Sequence, residues 1–445
     1  MCQLLREVTF VSTFPNTFGF TSALLEQRRL IKSERMNKPR KTIVFLADGM
    51  ADEPIAELDG LTPLQAAKTP GMDFIARRGR SGTLLTLPAN FPTSSDVANM
   101  SVLGCNLEKE YCGRGVLEAA SQGINLAKTD VAFRCNLVSI AEDGTLADFS
   151  GGHIAQSDAN EIIGNLNEHL ATERFRFYPG VSYRNLLILS GEEFSPDVYC
   201  EKPDDNSGNV VAEHLPRIEE GVGGADETLS VLLDLTRRAA EILPHAPANL
   251  RAVAEGRLPA NGVWFWSPGR AGSIRTLAER HGITSAVISA VDVIKGLGRC
   301  LGMDVINVEG ATGYIDTNYE GKASAAIEAS KTHDFVYVHV EAIDEVSHAR
   351  DLKLKMQAIE DYDSKIICPI IRECGDSFTY VILPDHPVPL ALGKHTRTPV
   401  PVAICGPGIE PDGVQVYSEV EAPAGDLGVL FGAELMEYLY PGDNK

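Results

Sequence analysis

Thr42-Ile43-Val44-Phe45-Leu46-Ala47-Asp48-Gly49 is the stretch that decides the fold class of this chain. Ile43 to Ala47 run without a polar break and then stop at an acid and a glycine. A short unbroken apolar run of this kind is the mark of a strand buried on both faces. Similar runs recur at Gly262 to Trp266, Ala286 to Ala290, Asp304 to Val308, Phe335 to Val340, Thr379 to Leu383 and Pro401 to Ile404. Helical patterns separate them at Gly272 to His281, Val291 to Leu301, Lys322 to Lys331 and Leu352 to Glu373. Strand alternating with helix predicts an α/β sheet with helices on both faces. The middle of the chain reads differently. From about Ala127 to Gly262 the strands shorten and turn-rich pieces interrupt them, including Ser150-Gly151-Gly152 and Gly221-Val222-Gly223-Gly224. This predicts a second, smaller unit inserted into the first.

Composition narrows the partners. The chain has 445 residues, 44% of them apolar and 23% charged, which excludes global disorder and leaves room for two or three domains. Forty Lys and Arg stand against 61 Asp and Glu, a net charge of -21. Such a surface repels a phosphate backbone, so nucleic acid is not an expected partner, while the spare carboxylates are material for a cation site. Nine cysteines, an odd number with no Cys-x-x-Cys pair, fit a reducing compartment. No window is apolar enough for a membrane span, and a cytoplasmic location without membrane attachment is expected. Residues 1–40 carry mixed charge ahead of the first good strand and read as an extension outside the core; a transit peptide would be poorer in acids.

Three acids follow buried runs: Asp48 after Ala47, Asp344 shortly after Val340, and Asp385 after Leu383. In open α/β sheets ligands bind beyond the carboxyl ends of strands, so carboxylates separated by some three hundred residues can meet in one crevice. Asp344 and His348 are spaced i and i+4, on one face of a helical turn, which suits two ligands of one cation. Asp385-His386 adds an adjacent pair, and His395 follows in a loop before the next strand. Each feature alone has a plain alternative, because an acid at a strand end is also a common turn or cap residue and a lone histidine is more often packed or solvated than ligating. His339, inside a strand run, reads as a hydrogen-bonded histidine behind such a site. Pro92-Thr93-Ser94-Ser95-Asp96 precedes a helical stretch; Ser94, Ser95 or Asp96 can cap it, and a serine there can equally serve as a nucleophile facing the helix N-terminus. Arg270, after a strand and Gly269, can bind a phosphate or simply be solvated.

The ordered set Asp48-Gly49, Ser94-Ser95-Asp96, Asp344-x-x-x-His348, Asp385-His386 and His395-Thr396 resembles the metalloenzymes of the alkaline phosphatase superfamily. It resembles most closely the archaeal-type, 2,3-bisphosphoglycerate-independent phosphoglycerate mutases, from about Met36 to the C-terminus. The resemblance implies an alkaline phosphatase-like three-layer α/β sandwich with a smaller inserted α/β domain. It implies two divalent ions, manganese or zinc, one held by Asp48, Ser95, Asp385 and His386 and the other by Asp344, His348 and His395. Ser95 is then the nucleophile, and the substrate is a small phosphorylated molecule. The same resemblance makes residues 41–126 and 263–445 the metal-binding domain and 127–262 the substrate-binding insert, with His153, Arg184 and Lys295 as substrate contacts beside Arg270. Many members of the family show Pro-His-Asp where this chain has Lys202-Pro203-Asp204-Asp205. The expected activity is exchange of 3-phosphoglycerate and 2-phosphoglycerate through phosphoserine; a homoserine kinase-like phosphotransferase or a metal-dependent phosphatase on the same site are the alternatives.

Overall fold

The central strand of the larger sheet, β1 (Thr42–Ala47), is buried along its whole length, and its side chains alternate between two cores. Val44 and Leu46 pack with Val97, Leu117 and Leu297 on one face, while Ile43, Phe45 and Ala47 pack with Ile75, Ile343 and Ile359 on the other. Each large apolar side chain so buried contributes about 1.5–3 kcal/mol relative to exposure. The result is three layers, helix on sheet on helix. The structure is a computed structural model that describes residues 41–441 apart from 271 and 273; the expected extension over residues 1–40 lies outside the described residues.

The remaining strands are β2 (Gly79–Leu85), β3 (Val131–Ile140), β4 (Leu146–Asp148), β5 (Phe175–Val181), β6 (Arg184–Leu189), β7 (Gly262–Arg270), β8 (Ser285–Ile288), β9 (Asp304–Ile306), β10 (Phe335–Val340), β11 (Thr379–Leu383), β12 (Val400–Cys405) and β13 (Gly428–Phe431). The larger sheet has the order β13-β2-β12-β11-β1-β10-β8-β9. Parallel pairing at its centre positions the site. Ala47 lies opposite Val340 of β10, and Leu46 opposite Leu383 of β11. The three strands therefore release Asp48, Glu341 and the Asp385 loop side by side at one edge.

Neither β2 nor β13 is legible as a strand in the sequence. β2 contains two glycines, which weaken the strand signal. Their absence of side chains is required by close approach: a Cβ on Gly79 would lie 2.0 Å from the Ile404 carbonyl oxygen of β12. The expected continuous helix from Leu352 to Glu373 is interrupted. An α-helix over Leu352–Tyr362 passes into a π-helical turn at Asp363–Ile367 before continuing as Cys368–Cys374. Pro369, with no N–H to offer, lies just beyond the wide turn, and Asp363 accepts the backbone N–H groups of Gly71 and Met72 at 3.1 and 2.7 Å. The helix expected from Gly272 begins at Leu277, where Thr276 and Glu279 form a capping box.

The second sheet has five strands, in the order β4-β3-β6-β5 with β7 also paired to β3, and all its pairings are antiparallel. Helices Gln156–Leu170 and Asp226–Ile242 bury their apolar faces against it, around Phe133, Phe177 and Phe265. The run at Gly262 to Trp266 thus belongs to this sheet and continues to Arg270, past the boundary drawn at Gly262 from the turn-rich sequence. Among the described residues no helix is long and apolar enough to cross a membrane.

Candidate active site

Gly49 sets the geometry of the loop that carries Asp48. Its φ of +64° is left-handed, and a Cβ there would stand 2.6 Å from Asp344 Oδ1, so only glycine lets the β1 loop approach the helix Ala342–His348. Its N–H donates to Asp385 Oδ1 at 3.2 Å. Asp48, Asp385 and His386 are wholly buried and Asp344 is 4% exposed, while His348 opens to solvent.

The donor atoms converge. His386 Nε2 is 3.3 Å from Asp48 Oδ1, 3.5 Å from Asp385 Oδ2 and 3.1 Å from Ser95 Oγ. His348 Nε2 is 3.2 Å from Asp344 Oδ2 and 2.9 Å from His395 Nε2, which lies 3.5 Å from Asp344 Oδ1. The rings of His386 and His395 stack with centroids 3.8 Å apart, joining the two halves. Asp344, His348 and His395 can offer donor atoms within 4.8 Å of one another, and so can Asp48, Asp344 and His386. All seven residues expected as ligands therefore lie in one cluster.

Ser95 is the first residue of the helix Ser95–Val102. Ser94 occupies the cap position without a side-chain capping bond, and buried Asp96 accepts the hydroxyl of Tyr111 at 3.1 Å. Ser95 Oγ faces the cluster through His386.

Electrostatics supply a test of whether cations fit. Burial first, then the charges of Asp385, Glu341 and Asp344, pushes Asp48 well above the usual carboxylate range. Burial likewise raises Asp385 to about 7 and Glu341 to about 8. Burial opposes ionisation of Asp344 too, but the His348 hydrogen bond and the nearby imidazoles outweigh it and hold its carboxyl low. The hydrogen bond to Asp344 raises His348 to about 9, whereas burial lowers His386 and His395 to about 4. Asp48 Oδ1 and Asp344 Oδ1 have no hydrogen-bond partner although both are buried. Carboxylates crowded together, with uncommitted oxygens and the neutral imidazoles of His386 and His395 beside them, are what divalent ions with oxygen and nitrogen ligands require. The residues fit such ions.

The expected substrate contacts stand on both units of the fold. Lys295 is half-buried, 3.8 Å from Asp292, and its charge is felt by the buried Lys322, whose ammonium lies 3.3 Å from the His339 carbonyl oxygen. His153 and Arg184 are exposed on the second sheet unit. His153 has a φ of +54° in a loop where Ser150 Oγ accepts its N–H, and the Arg184 guanidinium covers the Tyr183 ring at 4.8 Å. Arg270 is engaged elsewhere: its guanidinium donates to the Thr129 carbonyl at 2.7 Å and to the Phe194 carbonyl, which ties down the second sheet.

His339, expected behind the cluster, stands there with Nε2 3.1 Å from Asp48 Oδ2 and Nδ1 3.1 Å from Ser289 Oγ. Glu341, Asn99 and Tyr337 also border the cluster, beyond the residues expected from the sequence. Glu341 follows the β10 run directly, the same signal that marked Asp48. Asn99, four residues after Ser95 on one helix face, carries a spacing signal only in retrospect. Tyr337 looks like any core aromatic until its hydroxyl is seen donating to Asn99 Oδ1 at 2.6 Å.

Comparison with known proteins identifies the family. A family model described as 2,3-bisphosphoglycerate-independent phosphoglycerate mutase matches residues 76–249. The protein of that name from Methanosarcina acetivorans is 47% identical over 405 residues, covering 90% of this chain and 99% of the relative. A relative from Geobacter sulfurreducens, named a probable enzyme of the same kind, is 47% identical over the same shares of the two chains. Among solved structures, the cofactor-independent phosphoglycerate mutase from Thermoplasma acidophilum superposes with a TM-score of 0.66 at 27% identity, over 90% of this chain and 98% of that one. Identity at this level over nine-tenths of the length places the chain in the 2,3-bisphosphoglycerate-independent phosphoglycerate mutase family.

Proposed function

We propose that this chain interconverts 3-phosphoglycerate and 2-phosphoglycerate, without a bisphosphoglycerate primer, by passing the phosphoryl group through Ser95. The observation that carries the reading is the position of Ser95 Oγ, at the first turn of a helix and 3.1 Å from His386 within the carboxylate and histidine cluster. Asp48, Ser95, Asp385 and His386 would hold one divalent ion, manganese or zinc, and Asp344, His348 and His395 a second. When bound, such ions supply positive charge that offsets the charge on the transferring phosphoryl oxygens.

The chain's own residues account for the positioning. Asn99 donates to the Ser95 carbonyl at 2.8 Å and to Asp385 at 2.9 Å, which locks the first helical turn against the β11 loop. Backbone N–H groups at that turn favour an anion at Ser95. In the first half-reaction the bond between phosphorus and the 3-oxygen breaks as the bond to Ser95 Oγ forms, and the serine proton is made up on the released 3-hydroxyl. In the second, the 2-hydroxyl of the retained glycerate attacks phosphoserine and its proton returns to Ser95. Two in-line displacements are needed because a direct shift between neighbouring hydroxyls cannot align attacking and leaving oxygens.

His153, Arg184 and Lys295 are assigned to the substrate, with the second-sheet unit, expected over residues 127–262 and extended by β7 to Arg270, closing to exclude water and so favouring return of the phosphoryl group to glycerate. The free state of the eight described cysteines suits a cytoplasmic enzyme. The test is turnover by the purified chain with Mn²⁺ and 3-phosphoglycerate, lacking both bisphosphoglycerate and nucleotide. Formation of 2-phosphoglycerate is expected. Release of inorganic phosphate alone would make the enzyme a phosphatase, and activity confined to ATP with homoserine would make it a kinase.

A further inference from the structure

Among the buried charge pairs that this mechanism does not use, the one between Lys355 and Asp52 lies against the segments that carry the cluster. Lys355 Nζ and Asp52 Oδ2 are 2.7 Å apart, with the side chains 0% and 2% exposed. Burying two charges costs desolvation that their attraction does not reliably repay, so what needs explaining is the arrangement they impose. An ammonium has three protons, and each has an acceptor here: Asp52, the Val388 carbonyl at 3.1 Å and the Gly49 carbonyl at 3.4 Å. Gly49 directly follows Asp48, and Val388 lies two residues after His386. Asp52 closes the same circle by accepting the N–H of Leu390 at 3.2 Å.

The third ligand-bearing segment is tied in through the backbone. Lys355 sits in the helix Leu352–Tyr362, where its N–H donates to the Asp351 carbonyl at 2.9 Å, and the Asp351 N–H donates to Val346 at 3.1 Å, inside the helix that carries Asp344 and His348. The far side of Asp52 is anchored too, since its N–H donates to Glu419, whose other carboxylate oxygen accepts the Thr62 hydroxyl.

We propose that Lys355 is a positioning residue for the metal site, its ammonium fixing the spacing of the three segments that carry Asp48, Asp385 with His386, and Asp344 with His348. The inference rests on the two-metal reading above. Only a long stem ending in several donors and no acceptor satisfies two carbonyls and a carboxylate together. Because Lys355 lies behind the ligands, its loss should register in metal affinity and kcat while sparing KM.

The experiment compares the full wild-type chain with Lys355→Met and with Asp52→Asn/Lys355→Met, a pair of changes that leaves neither partner of the ion pair as an unpaired charge. Each metal-stripped protein is titrated with Mn²⁺ by calorimetry, its fold checked by near-ultraviolet circular dichroism, and its kcat and KM measured at saturating Mn²⁺. The double variant is expected to be folded, to bind Mn²⁺ about ten-fold or more weakly, and to lose kcat with KM little changed. Wild-type Mn²⁺ affinity in the folded double variant would overturn the positioning role, and so would a double variant that does not fold, which would assign the pair to the sheet. A wild-type chain that takes up no Mn²⁺ would instead overturn the metal reading on which the role depends.

Discussion

Asn99 and Asp385 are joined by a 2.9 Å hydrogen bond across 286 residues of chain, both of them wholly buried. The same side chain accepts the Tyr337 hydroxyl and donates to the Ser95 carbonyl. One amide therefore holds the helix that begins at Ser95, the β11 loop and β10 in a fixed relation. Asn99→Ala would leave the Tyr337 hydroxyl buried without an acceptor, at a cost of about 1–3 kcal/mol. Urea denaturation should show that loss, and turnover should fall with it as Ser95 loses its tether.

Arg270 and Arg184 should separate cleanly. Since the Arg270 guanidinium is committed to the Thr129 and Phe194 carbonyls, Arg270→Ala should lower stability by about 1–3 kcal/mol and leave KM largely intact. Arg184 is exposed and stacked on Tyr183, so Arg184→Ala should raise KM for phosphoglycerate with little change in melting temperature. A raised KM for the Arg270 variant at unchanged stability would return Arg270 to the substrate.

Asp344→Asn and His348→Ala should each reduce bound metal, measured by elemental analysis, and lower kcat at least about 100-fold, beyond what loss of an outer partner costs. The sheet should remain folded, because Asp344 and His348 stand at its rim on the helix Ala342–His348 and not among the apolar side chains of its cores. Metal that binds only the native state at about 100 times its dissociation constant stabilises by about 2.7 kcal/mol, so Mn²⁺ should raise the melting temperature of the wild type more than that of either variant.

Closure of the second sheet over the site should be visible to a protease. Lys128 is exposed in the loop just before β3, and trypsin should cut there in the free protein. Saturating 3-phosphoglycerate with Mn²⁺ should slow that cut. An unchanged rate of cleavage would count against movement about this loop.

The legible part of the fold was the part whose signal is local. Ile43 to Ala47 and Phe335 to Val340 announce doubly buried strands by unbroken apolarity, and the acids at their ends inherit their position from parallel pairing. β2 escaped because Gly79 and Gly82 are dictated by the nearness of β12 and β13, which no local pattern records. The span of β7 was misjudged at its far end for a related reason: Ser267-Pro268-Gly269 reads as a turn, yet pairing with β3 carries the strand through to Arg270. Within the site, the acids and histidines were legible from their order, whereas Asn99, Tyr337 and Lys355 act through contacts with residues far along the chain.

The central claim is that the phosphoryl group rests on Ser95 between its two positions on glycerate. Rapid quenching of the Mn²⁺-loaded enzyme during turnover of 3-phosphoglycerate, followed by peptide mass spectrometry, tests it most directly. The account predicts one phosphoryl group on the peptide containing Ser95, and neither that adduct nor 2-phosphoglycerate from Ser95→Ala. Formation of 2-phosphoglycerate by Ser95→Ala at the wild-type rate would contradict it.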